Sequence, residues 1–278
     1  SKKRFNHFRK FELSKEHHIE IAKMCRKANV TYLASVWEEN SLNWIDRYLK
    51  FYKIGSGDLT AYPILSRLAK RDKPIILSTG LSTLKEIKDT IKFLRQQNKK
   101  YKNENYLALL QCTSSYPTND NEVNLNVINT LQQSTKLTVG YSHHNKGDLG
   151  LIAAYLMGAK ILEFHFTDNR KGKTFRDHKI SLNPQETKDL ISKIKKINLM
   201  RGVNLKKPTQ GEIKSKNIQS FRRALYLNRD LKKGEVIKKE FVSCLRPNKG
   251  IDARKYKKLI GKKTKQSILA YEKIKLKI

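Results

Sequence analysis

Residues 106–115, Tyr106-Leu107-Ala108-Leu109-Leu110-Gln111-Cys112-Thr113-Ser114-Ser115, run from near-continuous apolar side chains into hydroxyls. An apolar run of this length without alternation fits a strand buried on both faces, as strands of parallel sheets are. The hydroxyls then fall at the strand's C-terminal end. That placement matters because βα barrels build their active sites at the C-terminal ends of many strands. An open doubly wound sheet would gather polar groups near one switch point instead.

Working outward, the same design recurs on both sides. Upstream lie Pro74–Gly80 (PIILSTG), Lys50–Ser56 (KFYKIGS) and Val30–Val36 (VTYLASV); downstream lie Leu137–Tyr141 (LTVGY) and Lys160–Phe166 (KILEFHF). Each ends in or next to polar residues: Ser78-Thr79-Gly80, Ser56-Gly57-Asp58, Trp37-Glu38, Ser142-His143-His144 and His165-Phe166-Thr167-Asp168. Between these strands stand amphipathic candidates at Ser14–Ala28, Pro63–Arg71, Thr83–Gln97, Asn124–Gln133, Leu149–Met157 and Asn183–Leu199. Alternation of strand and helix means βα units, and polar residues at every strand end favour a barrel. The expected fold is therefore α/β: a TIM-type (β/α) barrel of six recognisable strands.

Past about Asn204 the pattern changes. Lys206-Lys207-Pro208-Thr209-Gln210-Gly211 reads as a linker. Phe221–Leu227, Val236–Ile237, Phe241–Leu245 and Ile268–Ile278 are short apolar stretches broken by polar turns. They are too brief for further βα units and predict a small β-rich domain. The expected boundaries are 1–205 for the barrel, 206–218 for the linker and 219–278 for the appendage.

The chain has 278 residues and a net charge of +34. Such a charge suggests a polyanion partner. Yet 44 of the 59 basic residues are Lys and 15 are Arg, whereas base readout favours Arg. The lysines are also spread along the chain, so nucleic acid is disfavoured and solvated lysine-rich faces are expected. No apolar run is long enough to span a bilayer. Ser1-Lys2-Lys3-Arg4-Phe5 has no apolar segment behind it, so no secretory leader is expected. Cys25, Cys112 and Cys244 are odd in number and far apart, which fits reduced thiols in a cytoplasmic protein.

Candidate chemistry sits at the strand ends. His144 and His165 are imidazoles that could ligate a divalent metal, or serve as hydrogen-bonded structural residues. Lys53 lies among apolar neighbours, so its charge must meet an anion or a carboxylate. Ser78-Thr79-Gly80 and Thr113-Ser114-Ser115 could cradle a phosphate, or simply close turns.

Taken in order, several of these stretches resemble the strand signatures of the N-acetylneuraminate (sialic acid) synthase family. They are Lys53-Ile54-Gly55-Ser56-Gly57-Asp58, Leu77-Ser78-Thr79-Gly80, Gln111-Cys112-Thr113-Ser114-Ser115-Tyr116-Pro117, Val139-Gly140-Tyr141-Ser142-His143-His144 and Glu163-Phe164-His165-Phe166-Thr167. The tail is similar to the family's antifreeze-like (SAF) domain, through Phe221-Arg222-Arg223, Leu231-Lys232-Lys233-Gly234-Glu235, Arg246-Pro247-Asn248-Lys249-Gly250-Ile251 and Ile260-Gly261-Lys262. The resemblance runs through the chain from about Phe11. It aligns Val30–Val36 with the family's third strand, so the expected barrel lacks its first two.

The resemblance implies condensation of phosphoenolpyruvate with an N-acyl hexosamine, such as N-acetylmannosamine, to a nine-carbon α-keto acid and phosphate. It implies Mn²⁺ or Mg²⁺ held by His144 and His165, with Lys53, Glu163 and Asp177 as catalytic groups. Ser56, Asp58, Ser78, Ser114, Tyr116 and Ser142 would bind substrates. Arg246 would reach a partner subunit's site and contact the acyl group, which implies a domain-swapped homodimer. His143 departs from the family's usual Asp, Asp58 from its usual Glu, and Ser114-Ser115 stand where Asn is common. The absent strands leave an inactive or partial synthase as one alternative, and the net charge of +34 leaves a basic polyanion-binding protein on a barrel remnant as another.

Overall fold

The computed structural model describes residues 5–6, 9–36 and 39–274. The chain divides into two compact units, Ser1–Gly202 and Val203–Ile278. In the first, five parallel strands form a curled half-barrel of TIM type: β1 (Tyr52–Ile54), β2 (Ile75–Ser78), β3 (Leu107–Cys112), β4 (Thr138–His143) and β5 (Leu162–Phe164), in that spatial order. Helices connect them: α3 (Tyr62–Ala69), α4 (Leu84–Gln97), α5 (Val127–Thr135) and α6 (Leu149–Leu156). Ahead of them run α1 (Lys15–Lys27) and α2 (Glu39–Ile45), and α7 (Pro184–Arg201) follows.

The expected strands and helices recur within a few residues, because each boundary has a local cause. Thr83 caps α4 and Glu86 reaches back to the Thr83 N–H, a reciprocal box that satisfies two otherwise orphaned donors. Asn183 and Glu186 do the same at α7, where Pro184 sits at the first helical turn and needs no hydrogen-bond donor. Ser14 caps α1, with His17 returning the bond. The middle strand β3 is buried at every position, and Ile75, Leu77, Leu109 and Val139 have no measurable exposure. Truncating a core leucine such as Leu109 to Ala costs about 2–5 kcal/mol, since the cavity cannot collapse fully.

One expected strand does not form. Val30–Val36 makes no ladder with any described strand; the sheet ends at β1. Its apolar residues are nevertheless used: Tyr32 and Val36 are buried, and the Tyr32 hydroxyl lies 2.6 Å from His18 Nδ1 on α1. Apolar composition secured burial of these two side chains, although Val30 stays exposed, while strand identity needs a paired neighbour. Trp37-Glu38, expected at its end, lie outside the described residues.

The second unit holds an antiparallel sheet in the order β7-β6-β8, with β6 (Ala224–Leu227) between β7 (Val242–Leu245) and β8 (Ile251–Asp252). Its own core comprises Leu225, Leu227, Leu231, Ile237, Leu259, Ile268 and Ile274. The stretch expected as a linker carries two short helices, α8 (Gln210–Lys214) and α9 (Asn217–Phe221), and α10 (Tyr256–Leu259) closes the set. Val236 and Ile268 enter isolated bridges, to Lys263 and Leu231, rather than strands. Residues 275–278 of the expected last stretch lie outside the described residues. No helix among the described residues is long and apolar enough to cross a membrane.

Candidate active site

The register of the sheet decides which side chains meet. Lys53 pairs across the ladder with Ile76, Ser78 with Leu110 and Ser142 with Glu163, so their strand ends lie in one row. Lys53 is largely buried, its side chain 12% exposed, and an ammonium in that position must be neutralised and hydrogen-bonded. It donates to Ser78 Oγ at 2.8 Å and to the Ile54 carbonyl at 3.1 Å, and Glu163 Oε1 lies 3.4 Å away. This reach across from β1 to β2 and β5 spends a long flexible side chain on one geometry.

Small residues close the floor beside it. Gly80 donates its backbone N–H to Ser56 Oγ at 3.0 Å. A Cβ at Gly80 would stand 2.5 Å from Ser114 Oγ and 2.8 Å from Ser56 Oγ, so glycine is what lets three strand ends approach. Ser142, 4% exposed, stands opposite Cys112 across the ladder, and the Cys112 thiol lies 3.7 Å from His144 Nδ1. Burial alone would raise that thiol's pKa, but the His144 imidazole and the Ser56 and Ser142 hydroxyls outweigh it and hold the thiol below its usual value.

On the β4–β5 side three rings gather. The His144 and His165 ring centres are 5.3 Å apart, and Tyr116 lies 4.2 Å from His144 and 5.9 Å from His165. His144 Nδ1 is 2.8 Å from the Thr113 carbonyl. A carbonyl only accepts, so Nδ1 carries the proton and Nε2 keeps its lone pair. His165 Nδ1 lies 3.8 Å from Asp177 Oδ2. Burial lowers the pKa of His165, with Asp177 partly offsetting it and His144 adding to it. Burial would also lower that of His144, but its contacts with Cys112 and the Thr113 carbonyl raise it overall. An imidazole with one nitrogen committed to an oxygen and the other free is the arrangement of a metal-binding histidine. Among the described residues no group of three His, Cys, Asp or Glu side chains converges as a complete metal site.

The remaining expected residues divide. Asp58 lies in the turn Ser56–Asp58 just past β1, half-buried, and Tyr116 joins the histidines. Arg246 lies in the second unit, where its Nε donates to the Phe221 carbonyl at 2.8 Å and its guanidinium lies over the Phe221 ring. His143, in the expected ligand run, points elsewhere: it is fully buried, neither ring nitrogen has a hydrogen-bond partner among the described residues, and it packs edge-on against Tyr141. Strand alternation explains this, since neighbours on β4 face opposite sides. Sequence reading missed Cys112 and Arg176. Cys112 was visible as an alternate residue of β3, in step with Ser142 across the ladder; Arg176 carried no signal beyond its place next to Asp177.

The NeuB family pattern matches residues 1–206 and the SAF domain pattern residues 222–274. The chain is 38% identical to the N,N'-diacetyllegionaminic acid synthase of Campylobacter jejuni, over 91% of this chain and 74% of that protein. It is 34% identical to the protein of the same name from Legionella pneumophila, over 93% of this chain and 72% of that one. Among solved structures it resembles the N-acetylneuraminic acid (sialic acid) synthetase of Leptospira borgpetersenii, at TM-score 0.66 and 27% identity, covering 75% of this chain and 71% of that chain.

Proposed function

Because the chain belongs to the NeuB family and carries an SAF domain behind its half-barrel, we propose that it joins phosphoenolpyruvate to an N-acyl hexosamine, N-acetylmannosamine or a related sugar. The products are a nine-carbon, sialic-acid-type α-keto acid and inorganic phosphate. The relatives named above are synthases of such acids, which supports this reading. In the reaction C3 of the enol bonds to the sugar's aldehyde carbon, and the aldehyde oxygen takes up a proton. Water adds at C2, the C–O bond to phosphate breaks, and C2 becomes the keto carbon.

The observation that carries the proposal is that β5 serves two clusters at once. Glu163 faces the Lys53–Ser78 cation, and His165 faces His144 two residues later. Anionic phosphoenolpyruvate would sit against Lys53 and the hydroxyls of Ser56, Ser78, Ser114 and Ser142, exchanging the Lys53–Glu163 pair for its own charge. Lys53 holds the departing phosphate's charge as it develops, where fixed cations act most strongly. Glu163, then released, stands at the reacting centre as a candidate proton carrier. Tyr116 and Asp58 would position the sugar, with its carbonyl over the histidine pair.

Mn²⁺ or Mg²⁺, held by His144 and His165, would polarise the aldehyde as a Lewis acid. The histidines fit that group because the proton on His144 Nδ1 is fixed by Thr113, while Asp177 backs His165. We place the reaction in the cytoplasm, consistent with the free thiols of Cys25, Cys112 and Cys244. We also propose a homodimer in which a second copy's Arg246 contacts the acyl group.

The test incubates the chain with phosphoenolpyruvate, Mn²⁺ and each candidate sugar and measures released phosphate. The sugars are N-acetylmannosamine and the precursors of diacetyllegionaminic and pseudaminic acids. Phosphate release that depends on the sugar is expected. A folded chain that releases none with any sugar overturns the proposal.

A further inference from the structure

The segment between β5 and α7 carries five cations, and two of them are restrained by acids within it or on α7. Arg170 pairs with Glu186, and Lys173 pairs with Asp168. Arg176 is held differently. Its guanidinium carbon lies 4.4 Å from the centre of the Tyr116 ring, and its Nε lies 3.3 Å from Asp177 Oδ1. That approach is an ion pair rather than a hydrogen bond, since Asp177 Oδ1 is buried with no hydrogen-bond partner among the described residues. Among the described residues Nη1 and Nη2 of Arg176 make no hydrogen bond, and the side chain is 59% exposed.

A guanidinium normally costs side-chain entropy to immobilise. Here the aromatic face and the carboxylate hold it without using its terminal fork. The fork therefore stands pre-organised one ring away from His144, since Tyr116 lies against both. Asp177 already faces its charge, so the fork suits a neutral oxygen better than a full anion. Five N–H donors in a rigid plane suit a carbonyl oxygen, and Lys could not reproduce the plane.

We propose that Arg176 is a specificity-determining residue that binds an acylamino carbonyl of the sugar acceptor through Nη1 and Nη2. With a second copy's Arg246 reading one acyl group, as proposed above, Arg176 reads a second, and the acceptor class is a hexose bearing two acylamino groups. This inference rests on the proposed synthase reaction.

The experiment measures kcat/KM for a diacylamino hexose and for N-acetylmannosamine in wild type, R176A and R176K, with KM for phosphoenolpyruvate in each. A hydrogen bond to a charged group contributes about 1.5–3 kcal/mol, roughly 10- to 150-fold in binding. Wild type is expected to prefer the diacylated sugar by at least about 10-fold. R176A should abolish that preference by raising KM for the diacylated sugar alone, with phosphoenolpyruvate KM and melting temperature unchanged. R176K should restore only part of it. An unchanged preference in R176A, a rise in phosphoenolpyruvate KM, or full rescue by Lys overturns the assignment. If wild type turns over neither sugar, the synthase reading fails by itself. Calorimetric binding of the two sugars to wild type and R176A then still decides whether Arg176 discriminates them.

Discussion

The two halves of the candidate site are held by different forces, although they share β5. Around Lys53 the protein satisfies a buried charge with its own groups, Ser78, the Ile54 carbonyl and Glu163. Around His144 and His165 it stacks rings and commits Nδ1 to the Thr113 carbonyl, leaving lone pairs unused. The first half is closed until an anion displaces a partner; the second is open. A site meant for an anion and an electrophile would be divided in this way, because a bare ammonium is far costlier to bury than a neutral imidazole.

The sharpest way to break the contrast is to remove the open half. A His144→Ala/His165→Ala double variant should lose at least about 1,000-fold in turnover, the scale of losing Lewis-acid stabilisation together with its scaffold. Calorimetric titration of Mn²⁺ should show wild-type binding and none in the variant. Retained Mn²⁺ binding in the double variant would move the metal elsewhere.

Next comes the closed half. Lys53→Met keeps the length of the side chain and removes its charge, leaving Glu163 with no described counter-ion. Turnover at low phosphoenolpyruvate should fall about 100-fold, through kcat as well as KM, with Mn²⁺ binding unchanged. If instead the metal affinity collapses with Lys53, the two halves are one electrostatic unit and the division is wrong.

Much of this was legible in the sequence for reasons that are local. Apolar runs ending in polar residues located β1 through β5, and capping pairs such as Thr83 with Glu86 marked helix starts. Val30–Val36 failed because periodicity reports burial and not pairing. His144, Lys53 and Ser78 were legible as strand-end residues, and the structure brings them together. What could not be read was partnership across the fold. Arg176 over Tyr116 joins residues sixty apart in the chain.

His143 offers the third test, since it belongs to neither half. Burial, with His144 and His165 nearby, pushes its pKa from 6.5 down to about 4. The imidazole is thus buried neutral, while the unfolded chain binds a proton below 6.5. Between pH 6.5 and 4 the unfolded state holds more protons, so stability rises with pH. The contribution is intact above 6.5 and is lost progressively as pH falls toward 4, by about 3 kcal/mol. Denaturant melts of wild type and His143→Asn at pH 7 and pH 4.5 should show the variant losing less. Equal losses in both would assign the acid sensitivity to other groups.

The smallest effect is expected where the two halves touch, at Gly80. Its N–H binds Ser56, and an added Cβ would meet Ser114 Oγ, Ser56 Oγ and the Cys112 carbonyl at 2.5, 2.8 and 3.2 Å. The hydroxyls can swing away, but the carbonyl belongs to β3 and cannot, so Gly80→Ala should cost about 1–2 kcal/mol in stability. Displaced Ser56 and Ser114 are the proposed phosphoenolpyruvate ligands, whereas His144 is tied to Thr113 on the far side of Cys112. A rise of about tenfold in phosphoenolpyruvate KM with unchanged Mn²⁺ affinity would therefore keep the halves separate. A fall in both would mean that β3 transmits the strain from one cluster to the other, and the contrast drawn between them would have to give way to a single rigid site.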